Sequence, residues 1–266
     1  MPAEHASEQV ERPGWGAPAA IDLVLSRRGG GVSPPPWDAL NLGLSCGDDA
    51  ARVSRNRQVF AAAAGMPMAP IFLQQVHGAR VVDWSDQVVH PADPPVPADA
   101  QVTTRPGQPL AILMADCLPV VLTDTTGSIV AAAHAGWRGV RAGVLANVVR
   151  HVRSRVGANN GLLAWIGPGI GPCCFAVGAE VRAAFCTQDP GAAAAFCAPR
   201  AGTHAAAQGA AWVADLAALA SRQLRRLDVL VTIDGRCTMC DPQAFFSYRR
   251  DGTTGRMAVA IWRKYA

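Results

Sequence analysis

Three short stretches hold the side chains best suited to chemistry: His77 in QQVHG, Cys117 in MADCLP and His134 in HAGWRG. Each lies where a run of strand-forming residues gives way to Gly or Pro, a kind of strand terminus that leaves a side chain accessible. One Cys and two His at the ends of separate strands match a three-ligand zinc site with an open fourth position. Zinc held in that way lowers the pKa of water in the open position from about 15.7 to about 7 and supplies a nucleophile at neutral pH. The same atoms suit a second chemistry, in which Cys117 attacks as a thiolate with His134 as its base. No third residue to orient that base stands out, and spacing alone does not choose between the two. Each residue also has a plain structural reading: His77 as a strand-end histidine, Cys117 as a buried inert thiol, His134 as a core histidine.

Seven further cysteines and a basic run complete the inventory. Cys237 and Cys240 form a CxxC pair, and a closed structural zinc site needs a second pair such as Cys173 and Cys174. That vicinal pair otherwise fills space in a core turn. Cys46, Cys186 and Cys197 read as packing or loop residues. The run FFSYRRDGTTGR, residues 245–256, offers the adjacent pair Arg249 and Arg250 and backbone donors to an anion as a supporting layer behind the site. A hairpin around Asp251 and Gly252 accounts for the same residues.

These side chains need elements to hold them. Apolar alternation or short apolar runs predict strands at 21–25, 71–76, 79–84, 110–114, 120–123, 128–133, 162–166, 228–232 and 257–262. Helices are predicted over 49–65, 140–156, 177–185 and 211–226, the second most clearly because Val140, Val144, Val148 and Val152 recur every fourth residue. His134 then sits at the mouth of that helix, where unpaired backbone N–H groups gather and an anion can be held. The Ala/Pro/Gly stretch reaching about residue 208 reads as a poorly ordered loop. Strands that come both as neighbours and in alternation with helices predict an α/β fold, an α+β mixed sheet with helices packed on it. Residues 1–19 read as a flexible N-terminal arm and residues 20–266 as one catalytic domain.

Composition narrows the partners. Half of the 266 residues are hydrophobic and 17% are charged, so a sizeable core forms, and a net charge of +4 is too small for a nucleic-acid groove. A small molecule is the expected ligand. The apolar runs are broken well before 18 residues, which argues against a membrane partner. The first residues carry neither a basic nor an apolar segment typical of secretion, so reduced thiols and a cytoplasmic location are expected.

The stretches GGVSPPPWDALNLG, GDDAARVSRNR, QVHGARV, ADAQVTT, ADCLPVV, HAGWRG, IGPGIGPCCFAVG and FFSYRRDGTTGR stand in one order along the chain. From about residue 20 to the end the chain resembles the laccase-domain family, also called YfiH-type proteins. The resemblance implies metal ligation by His77, Cys117 and His134. It implies a single-domain fold similar to the catalytic domain of cytotoxic necrotising factors, where an equivalent Cys and His form a hydrolase dyad. It further implies cleavage of purine nucleosides, methylthioadenosine among them, with phosphate, and deamination of adenosine. One departure is Ala176, where the family often has Glu.

On that footing the expected function is a zinc-dependent purine nucleoside phosphorylase with adenosine deaminase and methylthioadenosine phosphorylase activity. Arg57 and Arg138 are its candidate phosphate partners. Asp116 is the nearest carboxylate in sequence for proton transfer, but strand neighbours point to opposite faces, so the alternative is that it orients the loop. Asn41 either hydrogen-bonds substrate or caps a turn. The alternative is a metal-free amidase using Cys117 and His134 on a peptide-like or cell-wall precursor. A copper-dependent polyphenol oxidase fits less well, because six His with no His-x-His cannot supply both a blue-copper centre and a three-copper cluster. Copper can still replace zinc adventitiously on the same three ligands.

Overall fold

The computed structural model of the protein describes residues 9–87, 89, 93–207 and 209–265. Strands β1 (Val10–Glu11) and β2 (Ile21–Ser26) precede helix α1 (Ala50–Ala64). The Asp49 carboxylate caps α1 by accepting from the N–H groups of Ala51 and Arg52, and Gly65 ends it in the left-handed region at φ 64°. Strands β3 (Ile71–Phe72), β4 (Val81–Asp83), β5 (Ala100–Thr103), β6 (Leu110–Met114), β7 (Leu118–Asp124) and β8 (Val130–Ala135) follow, then helices α2 (Trp137–Arg141) and α3 (Val144–Val156). Next come β9 (Leu162–Ile166), β10 (Ala176–Val177), α4 (Ala179–Gln188), a 3-10 turn (Pro190–Ala195), β11 (Phe196–Cys197), α5 (His204–Ala207), β12 (Trp212–Ala214) and α6 (Leu216–Arg225). The chain closes with β13 (Val229–Ile233), α7 (Tyr248–Asp251) and β14 (Met257–Arg263).

The fold is mixed α/β in one domain, as expected, but it is built on two large sheets. One has the order β1-β2-β14-β6-β3 and the other β13-β9-β7-β8-β5-β4, with a small sheet β10-β12-β11 beside them. Parallel pairs (β13 with β9, β3 with β6, β4 with β5) mix with antiparallel ones. Strand alternation sorts the side chains into layers. Leu110, Ile112, Met114, Met257, Val259 and Ile261 of the first sheet meet Val121, Val130, Ala132 and Trp165 of the second. On the outer face of the first sheet Ala111, Ala258 and Ala260 pack with Phe60 and Ala64 of α1. On the outer face of the second, Ala131 and Ala133 lie with Val144, Val148 and Val152 of α3 and Leu219 of α6. Large side chains fill the space between sheets and alanines admit the helices, each large buried side chain contributing roughly 1.5 to 3 kcal/mol.

Four expectations change. Residues 9–19 are not a free arm: β1 pairs with β2 and Trp15 is buried between Ile21, Leu23 and their neighbours. A two-residue strand carries no periodicity to read; residues 1–8 lie outside the described residues. The helix predicted over 140–156 is split, because Gly143 at φ 88° takes a conformation that no continuing helix allows. The stretch predicted as a loop to residue 208 instead packs Ala192 and Phe196 into the core. The run around Asp251 and Gly252 is a Ser247-capped helical turn, α7, and not a hairpin.

Two connections matter for function, because both carry the chain from one sheet to the other. Residues 115–117 join β6 to β7, and residues 73–80 join β3 to β4. Cys117 lies on the first and His77 on the second. His134 is on β8, paired with Pro119 of β7. The end of the sandwich where these two crossovers lie is therefore where all three residues meet.

Candidate functional site

The donor atoms of His77, Cys117 and His134 all lie within 4.8 Å of one another. The imidazoles of His77 and His134 meet edge to face, with centroids 4.7 Å apart and an interplanar angle of 81°. Close packing is built into the backbone: a Cβ on Gly136 would stand 2.9 Å from Cys117 Sγ and 3.3 Å from His77 Cδ2. His77 itself has φ 60° and the neighbouring Asp116 φ 98°, conformations that persist for non-glycine residues only where surrounding bonds enforce them.

Asp99, which the sequence reading passed over, supplies those bonds at His77. It is fully buried just ahead of β5. Its Oδ1 accepts from His77 N (2.8 Å) and from His134 Nδ1 (2.8 Å), and its Oδ2 accepts from Gly78 N (2.6 Å). With Nδ1 donating to Asp99, the other ring nitrogen of His134 is free to act as a ligand or base, the usual outer-shell arrangement of a metal-binding histidine. A carboxylate beginning a buried strand in ADAQVTT was the available signal. Two imidazoles, one thiol, an orienting carboxylate and a cradle that only glycine leaves open fit a single tetrahedral ion with one position to spare.

The electrostatics are those of an ion pair. Burial pushes the Cys117 thiol up, but hydrogen bonds from His134 and His77 and their charge outweigh it and bring the pKa down to about 6. Burial pushes His134 down, while Asp99 and the Cys117 thiolate lift it to about 9. The depressed thiol is protonated below about pH 6 and the raised imidazole loses its proton above about 9, so the pair and its stabilisation occupy the window between. Metal-stripped protein is accordingly expected to be alkylated by iodoacetamide at Cys117 with an inflection near pH 6. A profile rising only near the ordinary thiol range of about 8.5 would show that the histidines do not activate the thiol.

The three residues line a cavity of about 830 Å3, within the roughly 300–1,000 Å3 range of small-molecule sites. Arg57, Arg138, Arg249 and Arg256 line it too, with Phe72, Trp137, Phe175 and Tyr248. Arg57 is poised over the Phe72 ring at 3.8 Å and donates from Nε to Leu42 O. Burial lowers its pKa to about 10, so it stays a cation at neutral pH. Arg138 lies over Trp137 on α2, and that helix is only five residues long, so the long-helix mouth expected behind His134 is absent. Within 245–256 it is Arg249 and Arg256 that reach the cavity, whereas Arg250 is spent on the carbonyls of Thr238, Met239 and Phe245. At the variant position, Ala176 O accepts from Arg249 Nη1 at 3.0 Å.

For two candidates, each with two open readings, the contacts favour the structural one. Asn41 is fully buried and its amide is consumed by the loop: Oδ1 accepts from Gly43 N and Arg256 N, and Nδ2 donates to Asp48 Oδ2. It caps the turn and is absent from the cavity wall. Asp116 borders the cavity, but Oδ1 accepts from Thr238 Oγ1 (2.7 Å) and Oδ2 from Arg249 N (2.7 Å). Those bonds hold the crossover ahead of Cys117 and leave Asp116 a positioning residue.

Residues 22–264 match the family described as multi-copper polyphenol oxidoreductase laccase. The purine nucleoside phosphorylase YfiH of Escherichia coli (strain K12) is 43% identical over 251 residues, covering 94% of this chain and 97% of that protein. The purine nucleoside phosphorylase of Xylella fastidiosa (strain 9a5c) is 43% identical over 258 residues, 93% of this chain and 94% of that one. Among solved structures, Neisseria meningitidis protein NMB0706 superposes with a TM-score of 0.83 at 38% identity, covering 97% of this chain and 100% of that one. YlmD from Geobacillus stearothermophilus superposes with a TM-score of 0.79 at 31% identity, covering 96% and 98%.

Proposed function

We infer, from the premise that the chain belongs to the multi-copper polyphenol oxidoreductase laccase family, that it cleaves purine nucleosides with phosphate at a zinc ion held by His77, Cys117 and His134. The observation that carries this reading is the convergence of those three donors on a cavity walled by four arginines and by aromatic faces. Relatives at 43% identity that are named purine nucleoside phosphorylase support an enzyme of that kind. The family's multi-copper description does not extend to a copper oxidase here: the candidate metal groups among the described residues are one His/Cys/His set and one four-cysteine set. Neither makes a three-copper cluster. Copper remains a substitute ion on the His/Cys/His set.

Zinc held by His77, Cys117 and His134 would supply Lewis acidity to the cavity those residues line. The chain's own residues do the rest. Arg57 and Arg138, joined by Arg249 and Arg256, bind and orient the phosphate dianion, whose oxygen attacks ribose C1′ as the bond to the purine nitrogen breaks. Phe72, Trp137, Phe175 and Tyr248 offer faces for the base, and Asp99 keeps His134 in one tautomer. The same reading includes methylthioadenosine as a substrate and, as a separate reaction at the base, deamination of adenosine, in which a water oxygen adds at purine C6 and the amino group leaves as ammonia. It places the protein in the cytoplasm, where a thiolate ligand stays reduced; no described helix is long and apolar enough to cross a membrane.

Chromatography of adenosine incubated with zinc-loaded protein, with and without phosphate, tests this. Adenine and ribose 1-phosphate are expected only with phosphate, and inosine without it. Arg57→Ala is expected to raise the KM for phosphate roughly tenfold or more while leaving inosine formation near the wild-type rate. Absence of adenine, hypoxanthine and inosine overturns the reading.

One observation favours a second reading. Asp99 supplies the orienting group that the sequence left missing, so Cys117, His134 and Asp99 have the order of a hydrolase triad. Amide hydrolysis of a peptide-like substrate that survives exhaustive chelation would favour it over zinc.

A further inference from the structure

A second thiol cluster lies outside the cavity. Cys173 and Cys174, in the turn after β9, meet Cys237 and Cys240, in the loop after β13, and all four Sγ atoms lie within 4.8 Å of one another. Cys240 Sγ is 3.5 Å from Cys173 Sγ and 3.4 Å from Cys174 Sγ. Sulfurs bound tetrahedrally at about 2.3 Å from zinc stand roughly 3.8 Å apart, so two contacts a few tenths of an ångström shorter, with all four sulfurs within 4.8 Å, need only small shifts to close a four-thiolate site. Packing does not explain the cluster, because Cys173 and Cys240 are exposed. The backbone is shaped to it: Gly171 N donates to Cys237 Sγ at 3.2 Å, a bond that suits a thiolate. A Cβ at Gly171 would come within 3.3 Å of Cys173 Sγ and 3.2 Å of Cys237 Cβ. From these contacts we propose that Cys173, Cys174, Cys237 and Cys240 hold a structural zinc ion, distinct from the His77, Cys117 and His134 site.

The ion would lock two loops that bear on the cavity. Gly169 and Cys237 already form a bridge. Thr238, next to Cys237, donates to the Asp116 carboxylate, while Ile170 N, three residues before Cys173, donates to Asp116 O at 2.8 Å. Asp116 is thus gripped from both loops, and it precedes Cys117. Arg250 fastens the Thr238 and Met239 carbonyls from a third side. Cross-linking the loops through zinc fixes the crossover without touching substrate. The proposal rests on the thiol cluster alone and stands whatever reaction the cavity performs.

The test uses the full chain purified under reducing conditions. His77→Ala/Cys117→Ala removes two of the three cavity ligands and leaves His134 alone, too few to hold an ion, so metal analysis of that double variant reads the cluster by itself. One zinc per chain is expected there and two in the wild type. Cobalt loaded into the double variant should give the intense visible bands and near-ultraviolet thiolate charge transfer of a tetrahedral tetrathiolate centre. Cys173→Ser, an exposed change that leaves the core alone, should lose the cluster's zinc and lower Tm by roughly 10 °C. Four thiols that react freely without metal, a disulfide formed in the reduced protein, iron in place of zinc, or Cys173→Ser with unchanged zinc and Tm each overturns the assignment.

Discussion

Cys117→Ala is expected to leave a folded protein whose phosphorolysis of adenosine has fallen by at least about a thousandfold in kcat/KM. Alanine fits the space, since the change removes only the sulfur that crowds Gly136. What disappears is the one ligand of the three that brings negative charge and soft donor character. Two neutral imidazoles hold zinc far more weakly than two imidazoles and a thiolate. His134 also loses one of the two groups that raise its pKa. Metal content and turnover should therefore fall together, and the inosine formed without phosphate should vanish with the adenine. Cys117→Ser separates the two readings of the cavity: a ligand role predicts loss of metal with loss of activity, and a nucleophile role predicts lost amidase activity with no dependence on metal. Turnover of nucleosides within tenfold of wild type in the alanine variant removes Cys117 from the chemistry altogether.

The site was half visible in the sequence. His77, Cys117 and His134 could be picked out because Gly or Pro marks the point at which each strand ends, a local signal. Asp99 could not, because its importance comes from burial and from four N–H groups converging on it, three of them from the turn at 76–78. The residues whose roles the sequence left open were ambiguous for a related reason. Asn41 and Asp116 have the chemistry of site residues, and only the tertiary contacts with Arg256, Asp48, Thr238 and Arg249 show that their polar atoms are already spent.

The fold divides along the same line. Helix α1 was legible at both ends because Asp49 and Gly65 act on their own helix. The alternation in β2 and β14 and the apolar run of β6 were legible as strands, since burial on both faces or one face leaves a local pattern. The four-layer arrangement was not, because it depends on β6 and β7 belonging to different sheets although three residues separate them. Val140 and Val144 keep their helical spacing across the break at Gly143, so periodicity carried straight through a residue that ends one helix and begins another.

Asp99→Asn has the second largest expected effect, and it weighs the two readings of the cavity against each other. The substitution keeps shape and one acceptor oxygen but replaces the other with an N–H donor. That donor must face His77 N, Gly78 N or the His134 ring, all of which need an acceptor. A buried donor left unpaired costs about 1 to 3 kcal/mol, so the variant is less stable at neutral pH. Burial of the Asp99 carboxyl tends to raise its pKa, and the bonds from His134, Gly78 and His77 outweigh that and lower it. The wild type therefore gains stability above the ordinary carboxylate range and loses it as pH falls through the depressed value, a component the amide lacks. His134 no longer has an anionic partner on Nδ1, its imidazolium weakens, and the alkylation inflection of Cys117 should move up from near pH 6. If zinc is the working group, an outer-shell loss of this kind lowers metal affinity and activity about 10- to 100-fold, and added zinc restores turnover. If a Cys117–His134–Asp99 triad does the work, kcat falls by about 10^4, the scale seen when an amide replaces the orienting carboxylate of a catalytic triad, and zinc restores nothing. Metal affinity, kcat/KM and inflection all unchanged within threefold would show that Asp99 orients neither histidine for function.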